Sequence, residues 1–384
     1  MRHPNFLDTT SSLLSLFLFI TILVTSQIPL GFTGQAHSSN FTCIESERQA
    51  LLQFRDSLTD ESNRLSSWIG ENYCSWDGIS CNKVTGHVVK LDLCNSEQPG
   101  FEIYSHWYHC RSCLAGHQLS PSLVNLTNLR HLDLSLNNFS GIRIPTFLGL
   151  LKELRYLNLS DAGFVGEVPH HLGNLSHLRY LDIGVVLGGI IQNKLTSNDL
   201  EWVARLSSLE TLSLNSVDLS GAQDVFNAIN MLPLLKALDL EGCRLTIPHL
   251  LHVNSTSLSS LDLSANQFIN PTIAPWLGNL TGLQDLNLRF CYLGGEVHDT
   301  FEQMGSLVKL NLYGNCFDTS TLKSICNISS LTSLQMTENN LQGSIPNEIA
   351  LDICRNNLEG SLKSFATGIL NLDLSRSAFA GNSS

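Results

Sequence analysis

Residues 129–137 read LRHLDLSLN, and this pattern of four leucines closed by an asparagine decides the fold. Equivalent leucines recur along the chain at steps of 23 to 26 residues, with one longer step of 31. Self-similarity at a fixed period of this length is the signature of a repeat architecture. The copies begin at Leu129, Leu154, Leu178, Leu209, Leu235, Leu258, Leu283, Leu307 and Leu331, after an incomplete copy at 88–93.

Each copy has the form L-x-x-L-x-L-x-x-N, which is typical of leucine-rich repeats. The alternation in L-x-L predicts a short strand with its leucines inward, and stacked copies would form one parallel sheet. We therefore predict an α/β leucine-rich-repeat solenoid. It would be a horseshoe or superhelix with the sheet on its concave face, a 3-10-helical or irregular convex side and a helical N-terminal cap.

The last position of the pattern is expected to bridge successive turns of the solenoid, because buried backbone groups need hydrogen-bond partners. Two copies carry cysteine there, and we interpret these thiols as small buried donors with a structural role. The asparagines are Asn137, Asn266, Asn315, Asn339 and Asn356, and the cysteines are Cys243 and Cys291.

The N-terminus, residues 1–30, is predicted to be a secretion signal. Leu13 to Val24 is an almost unbroken apolar run, which suits a signal core better than a membrane span. Cleavage is expected between residues 26 and 36, followed by passage through the secretory pathway. The net charge of −12 argues against nucleic acid as a partner.

Residues 40–84 are predicted to cap the solenoid, because an open end would expose apolar core. Ser46 to Gln49 fits a capping box, which would start a helix there. Trp68 and Trp76 are expected to plug the core. Residues 85–384 are then predicted to hold about eleven repeats and to end without a C-terminal cap.

The cysteines favour disulfides, because secreted thiols usually oxidise. The run from His106 to Cys113 has a spacing that could ligate zinc, but a disulfide is the preferred interpretation. We predict no metal and no cofactor. The disulfide candidates are Cys43, Cys74, Cys81, Cys94, Cys110 and Cys113.

Nine Asn-x-Ser/Thr acceptors for N-glycosylation agree with secretion, although the repeat itself supplies some of them. Buried copies are expected to go unmodified. They are Asn40, Asn125, Asn138, Asn158, Asn174, Asn254, Asn279, Asn327 and Asn382.

Strand positions beside the inward leucines should face solvent and carry the ligand site. Arg289 with Phe290, and Tyr313 one repeat later, should form an aromatic–cationic patch of the kind enriched at binding hot spots. The Asp of Leu-Asp-Leu belongs to the repeat and says little about the ligand. The predicted ligand-binding residues are Tyr156, Tyr180, Asn215, Glu241, Arg289, Phe290, Tyr313 and Glu338.

Several stretches resemble plant receptor-like proteins, particularly the group of the ethylene-inducing xylanase receptor and the apple scab resistance proteins. The resemblance covers essentially the whole mature chain. It implies a plant-type solenoid within a cell-surface receptor that lacks a kinase, has one membrane helix and signals through partner kinases. The stretches are CIESER at 43–48, TGHV at 85–88, LNLSDAGF at 157–164, DLEW at 199–202, LSSL at 206–209, NMLP at 230–233 and GSIP at 343–346.

Three features depart from that family. Its members usually have two adjacent cysteines before the cap tryptophan, whereas the first is Tyr73 here, so that Cys43 and Cys81 compete for Cys74. The unit around Leu351 is short, and the sequence ends at Ser384 inside a repeat. A non-functional truncated paralogue therefore stays open as an alternative.

We predict an extracellular ligand-recognition ectodomain that acts in plant defence or development. Its partners would be a peptide, protein or oligosaccharide ligand and a co-receptor kinase, at the cell surface if a membrane segment follows and otherwise in the apoplast. The alternative is a secreted binding protein similar to polygalacturonase inhibitors. We find no phosphate-binding glycine loop, nucleophile elbow or His-Glu-x-x-His motif, so an enzyme is not expected.

Overall fold

Short strands with one buried leucine each make up the central sheet. In most of them the middle residue is buried and the residues on either side are half-buried. The register stacks equivalent leucines, with Leu132 opposite Leu157 and Leu286 opposite Leu310. Each strand thus adds one more row to a continuous leucine core, as the L-x-L pattern predicts.

The computed structural model describes residues 44–95, 112–139, 141–185, 195–222, 225–245, 257–268, 272–273, 275–295, 300–318, 320–326, 328–343 and 357–358. Its strands are β1 (Ile79–Cys81), β2 (Val88–Asp92), β3 (His131–Asp133), β4 (Tyr156–Asn158), β5 (Gly166–Glu167), β6 (Tyr180–Asp182), β7 (Leu195–Thr196), β8 (Thr211–Ser213), β9 (Ala237–Asp239), β10 (Ser260–Asp262), β11 (Asp285–Asn287), β12 (Lys309–Asn311), β13 (Ser333–Gln335), β14 (Gln342–Gly343) and β15 (Asn357–Leu358).

Eleven of the described strands form one sheet in the order β1-β2-β3-β4-β6-β8-β9-β10-β11-β12-β13. β1 belongs to the cap region and runs antiparallel to β2, and the strands from β2 onward run parallel. The predicted parallel leucine-rich-repeat sheet is therefore confirmed. The remaining strands form two short pairs, β5 with β7 and β14 with β15.

Short helices return the chain from one strand to the next. α2 (Val225–Asn230) and α3 (Ser320–Cys326) are α-helical, and the other helices described in these returns are 3-10 helices. Adjacent returns pack so closely that a Cβ on Gly149 would collide with the backbone of His171. The 3-10 helices of these returns are Pro121–Asn125, Thr146–Leu150, His170–Asn174, Val203–Arg205, Pro275–Asn279 and Phe301–Gln303.

The cap begins with helix α1 (Glu45–Asp56). The predicted capping box is wrong, because the helix starts before Ser46, with Ile44 at its N-cap and no side-chain cap. The Glu45 carboxylate instead accepts hydrogen bonds from the side chains of Arg48 (2.9 Å) and Gln49 (2.6 Å). A further 3-10 helix spans Tyr73–Ser75.

The two cap tryptophans are core residues, as predicted. Trp68 and Trp76 are buried and stack with ring centroids 5.4 Å apart. Buried Tyr73 packs beside them, and its hydroxyl accepts from the Ile44 amide (3.0 Å) and donates to Gly86 O (3.0 Å). Tyr73 therefore ties the start of α1 to the loop before β2 without a covalent bond.

The disulfides agree with the prediction in part. Cys74 bonds to Cys81, which resolves the competition for Cys74. Cys113 is disulfide-bonded. Cys94 is a free thiol, so its place among the disulfide candidates is wrong. It lies beside Asp92, and that carboxylate and burial raise the pKa of the thiol.

Asparagines at the end of the repeat pattern bridge successive turns. Asn266 Nδ2 donates to Leu240 O (2.9 Å) in the preceding repeat and to Leu263 O (2.8 Å) in its own, while its Oδ1 accepts from the Leu245 amide (2.9 Å). The buried Cys243 and Cys291 thiols lie nearest to one carbonyl of an earlier repeat each, Leu214 O (3.1 Å) and Leu263 O (3.2 Å). They are structural substitutes, as predicted.

Some predictions lie outside the described residues: the signal segment 1–30 with its cleavage site, Cys43, Cys110, the His106–Cys110 run, the short unit around Leu351 and the sugar acceptors Asn40, Asn254, Asn327 and Asn382. Among the described helices, none combines the length and apolarity needed to cross a bilayer.

Candidate functional site

The side of the sheet opposite the core, which we call the open face, is formed by the residues that precede and follow each central leucine. It carries two clusters of aromatic side chains, one near its first repeats and one near its last described repeats. Both consist of side chains from neighbouring repeats, which the parallel register brings together. These clusters are the candidate binding surfaces.

The later cluster, the Arg289 patch, consists of Arg289, Phe290 and Tyr313. The Arg289 guanidinium lies 4.8 Å from the centroid of the Phe290 ring and 5.5 Å from that of Tyr313. The two rings meet edge to face at 4.9 Å. The three residues follow β11 and β12, at the edge of the open face. Arg289 and Phe290 are exposed and Tyr313 is half-buried, so the patch presents a charge and an apolar surface together.

The backbone explains how the Phe290 ring reaches the surface. Phe290 adopts a φ of +52°, and a φ above zero is rare for a bulky residue. Its ring lies over Gly314, where a Cβ would collide with it. Tyr292, also at positive φ (+58°), is 60% exposed beside the patch. The equivalent residues of other repeats, Leu136, Ser216 and Ala265, have a φ of +56° to +60°, so this backbone turn belongs to the repeat.

The earlier cluster is a stack of three rings on adjacent strands. Tyr156 stacks on Tyr180 at 4.4 Å and on His131 at 4.1 Å, with the ring planes nearly parallel in both pairs. The Tyr156 hydroxyl donates to Asp133 Oδ2 (3.2 Å). Burial raises the pKa of Tyr156 to about 12, so the hydroxyl is protonated at all physiological pH.

The acidic row along the open face has a structural role. Asp133, Asp182, Asp239 and Asp262 each accept the amide of the residue two positions later, at 2.8 to 3.0 Å. This is the local side-chain turn that Asp favours. These turns give the aspartates a structural reason to recur in the repeat. Burial raises the pKa of Asp182, and it raises that of Asp239 to about 6.

The other predicted ligand-binding residues are less available. Asn215 is only 3% exposed and donates to Glu241 Oε2 (3.1 Å), so the expectation that it faces solvent is wrong. Its side chain turns towards the next repeat because Glu241 offers an acceptor there. Glu241 and Glu338 are half-buried. Tyr156 and Tyr180 are half-buried by their mutual stacking.

Sequence reasoning missed two residues of these clusters. His131 occupies the strand position of Tyr156 and Tyr180, and this alignment of repeats was the available signal. Tyr292 lies in the return after β11, where no pattern predicts its exposure.

The glycan acceptors differ in accessibility. Asn125, Asn174 and Asn279 are exposed, and each is the last residue of a 3-10 helix. Asn138 is also exposed. Asn158 lies on the open face, where its Oδ1 accepts from the Ser160 amide (3.0 Å) and hydroxyl (2.8 Å).

Comparisons with known proteins agree with this architecture. The family described as "Leucine rich repeat N-terminal domain" matches residues 44–82, and "Leucine Rich Repeat" matches 128–150 and 153–175. The chain is 38% identical over 312 residues to "Receptor-like protein EIX1" of Solanum lycopersicum. That alignment covers 79% of this chain and 29% of the relative, so the chain spans less than a third of the relative's length.

Solved structures give the same fold. The Arabidopsis thaliana receptor kinase ectodomain GASSHO1/SCHENGEN3, in complex with CASPARIAN STRIP INTEGRITY FACTOR 2, aligns with a TM-score of 0.61 and 30% identity. The alignment covers 82% of this chain and 36% of the GASSHO1/SCHENGEN3 chain. The Arabidopsis receptor kinase HAESA, with the peptide hormone IDA and the co-receptor SERK1, aligns with a TM-score of 0.64 and 25% identity over 86% of this chain and 54% of its own.

The cap, the parallel leucine sheet and these similarities agree with the sequence stretches that resemble plant receptors. Over about four fifths of its length, 79%, the chain is similar to a plant leucine-rich-repeat receptor-like protein.

Proposed function

We propose that this chain recognises an extracellular ligand on its open face and acts within a receptor-like protein that signals through a partner kinase. The observation that carries the proposal is the Arg289 patch, an exposed guanidinium over two aromatic rings. Aromatic and arginine side chains dominate binding hot spots. The secretion signal supports a cell-surface or apoplastic location.

The relatives support the class of ligand. The ectodomains GASSHO1/SCHENGEN3 and HAESA were solved with peptide ligands, and HAESA also with the co-receptor SERK1. We propose a peptide or protein ligand for this chain, with an oligosaccharide as the alternative. We propose a binding role without catalysis, which is supported by the described aspartates of the open face, since they accept hydrogen bonds from their own backbone turns.

The test is a binding measurement on the secreted full chain. The probes are synthetic plant peptide hormones, a fungal xylanase and a fungal polygalacturonase, with a SERK1-type kinase ectodomain added to each. Arg289→Ala and Phe290→Ala should weaken ligand binding at least tenfold, which is about 1.4 kcal/mol or more. Arg155→Ala removes an exposed arginine that precedes β4 and serves as the matched control.

The outcomes separate the two candidate functions. Ligand-dependent recruitment of the kinase ectodomain supports the receptor. Inhibition of the polygalacturonase without recruitment supports the secreted inhibitor instead. Equal binding by the patch variants and the control would place the ligand away from the Arg289 patch.

A further inference from the structure

Three potential metal ligands meet at the first two parallel strands of the sheet. The register of β2 and β3 places Asp92 opposite Asp133 and Lys90 opposite His131. One ligand atom from each of Asp92, His131 and Asp133 lies within 4.8 Å of the others. Within the described part of the chain, no other group of three such side chains comes this close.

His131 supplies an observation that the fold does not explain. Its Nε2 atom is buried and makes no hydrogen bond, although the ring as a whole is about a quarter exposed. Asp92 Oδ2 is 3.8 Å away, which is too far for a hydrogen bond. An unsatisfied buried nitrogen is costly and requires an explanation. Stacking on Tyr156 holds the ring in place, so this nitrogen is preorganised.

The two carboxylates are also held in position. Asp133 is 6% exposed, and its oxygens accept from the Ser135 amide (3.0 Å), the Ser135 hydroxyl (2.6 Å) and the Tyr156 hydroxyl (3.2 Å). Hydrogen bonds of this kind orient the carboxylates and imidazoles that bind metals. The same tyrosine therefore positions both the His131 ring and the Asp133 carboxylate.

A cation already occupies this position. Lys90 Nζ lies 2.9 Å from Asp92 Oδ2, and the lysine side chain is 41% exposed, so it can move into solvent.

We propose that Asp92, His131 and Asp133 bind a divalent transition-metal ion of the zinc type, which displaces the Lys90 ammonium. Zinc accepts imidazole nitrogen and carboxylate oxygen, whereas calcium and magnesium prefer all-oxygen sites. Three protein ligands leave a coordination position open towards solvent. An acidic or carbonyl group of a bound molecule could take that position at this end of the open face.

The test is calorimetric titration of the metal-free full chain with zinc chloride at neutral pH. The wild type should bind one equivalent saturably. His131→Phe keeps a ring against Tyr156 but removes the nitrogen, and it should weaken binding at least tenfold, as should Asp92→Asn. Asp262→Asn changes the equivalent strand position in a later repeat, far from any described histidine, and should bind like the wild type.

Lys90→Ala gives a result that a structural role for the histidine would not produce. Removal of the competing ammonium should tighten zinc binding several-fold, and magnesium should show no saturable binding. Matching circular dichroism and thermal midpoints of metal-free wild type and His131→Phe exclude misfolding. The proposal is overturned if the wild type shows no saturable zinc binding or if His131→Phe binds zinc as tightly as the wild type. It is also overturned if zinc binding is kept in His131→Phe but lost in the His106→Ala/His109→Ala double variant.

Discussion

Asn315 contributes one side chain to two adjacent repeats. Its Nδ2 donates to Leu288 O (2.8 Å) and Leu312 O (3.0 Å), and its Oδ1 accepts from the amides of Cys291 (3.1 Å) and Leu293 (2.9 Å). All these groups are buried, where unpaired backbone polar groups are costly. The Asn315 side-chain amide therefore supplies hydrogen bonds to backbone amides and carbonyls that have no partner within the parallel sheet.

Asn315→Ala should lower the free energy of unfolding by about 2–4 kcal/mol, because several buried groups lose a partner worth about 1 kcal/mol each. The measurement is urea denaturation followed by circular dichroism. The control Asn340→Ala replaces an exposed asparagine in a neighbouring repeat. It should change the free energy of unfolding by less than about 0.5 kcal/mol. Equal losses in the two variants would contradict the bridging role.

Asp239 makes stability depend on pH. Burial raises its pKa to about 6, against about 3.9 for an unfolded aspartate. The folded state therefore binds more protons than the unfolded state between these values, and the free energy of unfolding should fall as the pH rises from about 4 to about 6. Asp239→Asn should flatten that slope in denaturation curves measured across this range.

Asp218 should make stability depend on pH in the opposite direction to Asp239. Burial pushes its pKa upward, but hydrogen bonds from Ser220 and the Arg244 guanidinium outweigh this and hold the pKa below its ordinary value. Its contribution to stability is present above the unfolded pKa and is lost as the pH falls. Asp218→Asn should therefore lower the free energy of unfolding at neutral pH.

For Asp239, the contradicting result is a free energy of unfolding that depends more steeply on pH in Asp239→Asn than in the wild type. It would show that burial does not control the pKa of that carboxylate.

At the scale of elements, one arginine joins the cap to the repeats. The Arg64 guanidinium donates to Leu93 O (2.9 Å) and Cys94 O (2.8 Å) after β2, and to Asn137 Oδ1 (2.9 Å) after β3. The planar guanidinium suits several fixed acceptors at once, which a lysine cannot match. Hydrogen bonds to a charged donor are stronger than neutral ones.

Arg64→Lys should destabilise the chain by about 2 kcal/mol or more, through loss of charge-assisted hydrogen bonds of about 1.5–3 kcal/mol each. Arg48→Lys is the control, since that arginine forms an exposed ion pair with Glu45 and surface pairs contribute little to stability. Thermal denaturation of both variants measures the difference. A loss in Arg48→Lys as large as that in Arg64→Lys would contradict the linking role.

At the scale of the whole molecule, the repeat determines where sugars attach. Asn125, Asn174 and Asn279 occupy the same exposed point, at the end of a 3-10 helix, on the side of the repeat away from the open face. Asn158 lies on the open face with its side chain in hydrogen bonds. Glycans on the return helices would leave the Arg289 patch uncovered.

Mass-spectrometric mapping of the chain secreted from plant cells should find high occupancy at Asn125, Asn174 and Asn279 and low occupancy at Asn158. The reason is that a sugar on Asn158 Nδ2 would disturb its contacts with Asp133 and the packing beside Tyr156. Full occupancy of Asn158 in correctly folded protein would contradict this distribution.

The sequence by itself determined the repeat, the inward leucines, the bridging asparagines, the tryptophan plugs and the composition of the Arg289 patch. Each repeat encodes its own inward positions within about two dozen residues, so local periodicity is sufficient for these features. The tertiary structure alone decided the start of α1, the burial of Asn215, the free thiol of Cys94 and the meeting of Asp92 with His131. The incomplete copy at 88–93 indicates that β2 precedes β3 in the sheet, but the side-chain positions that bring Asp92 and His131 together depend on contacts between neighbouring repeats.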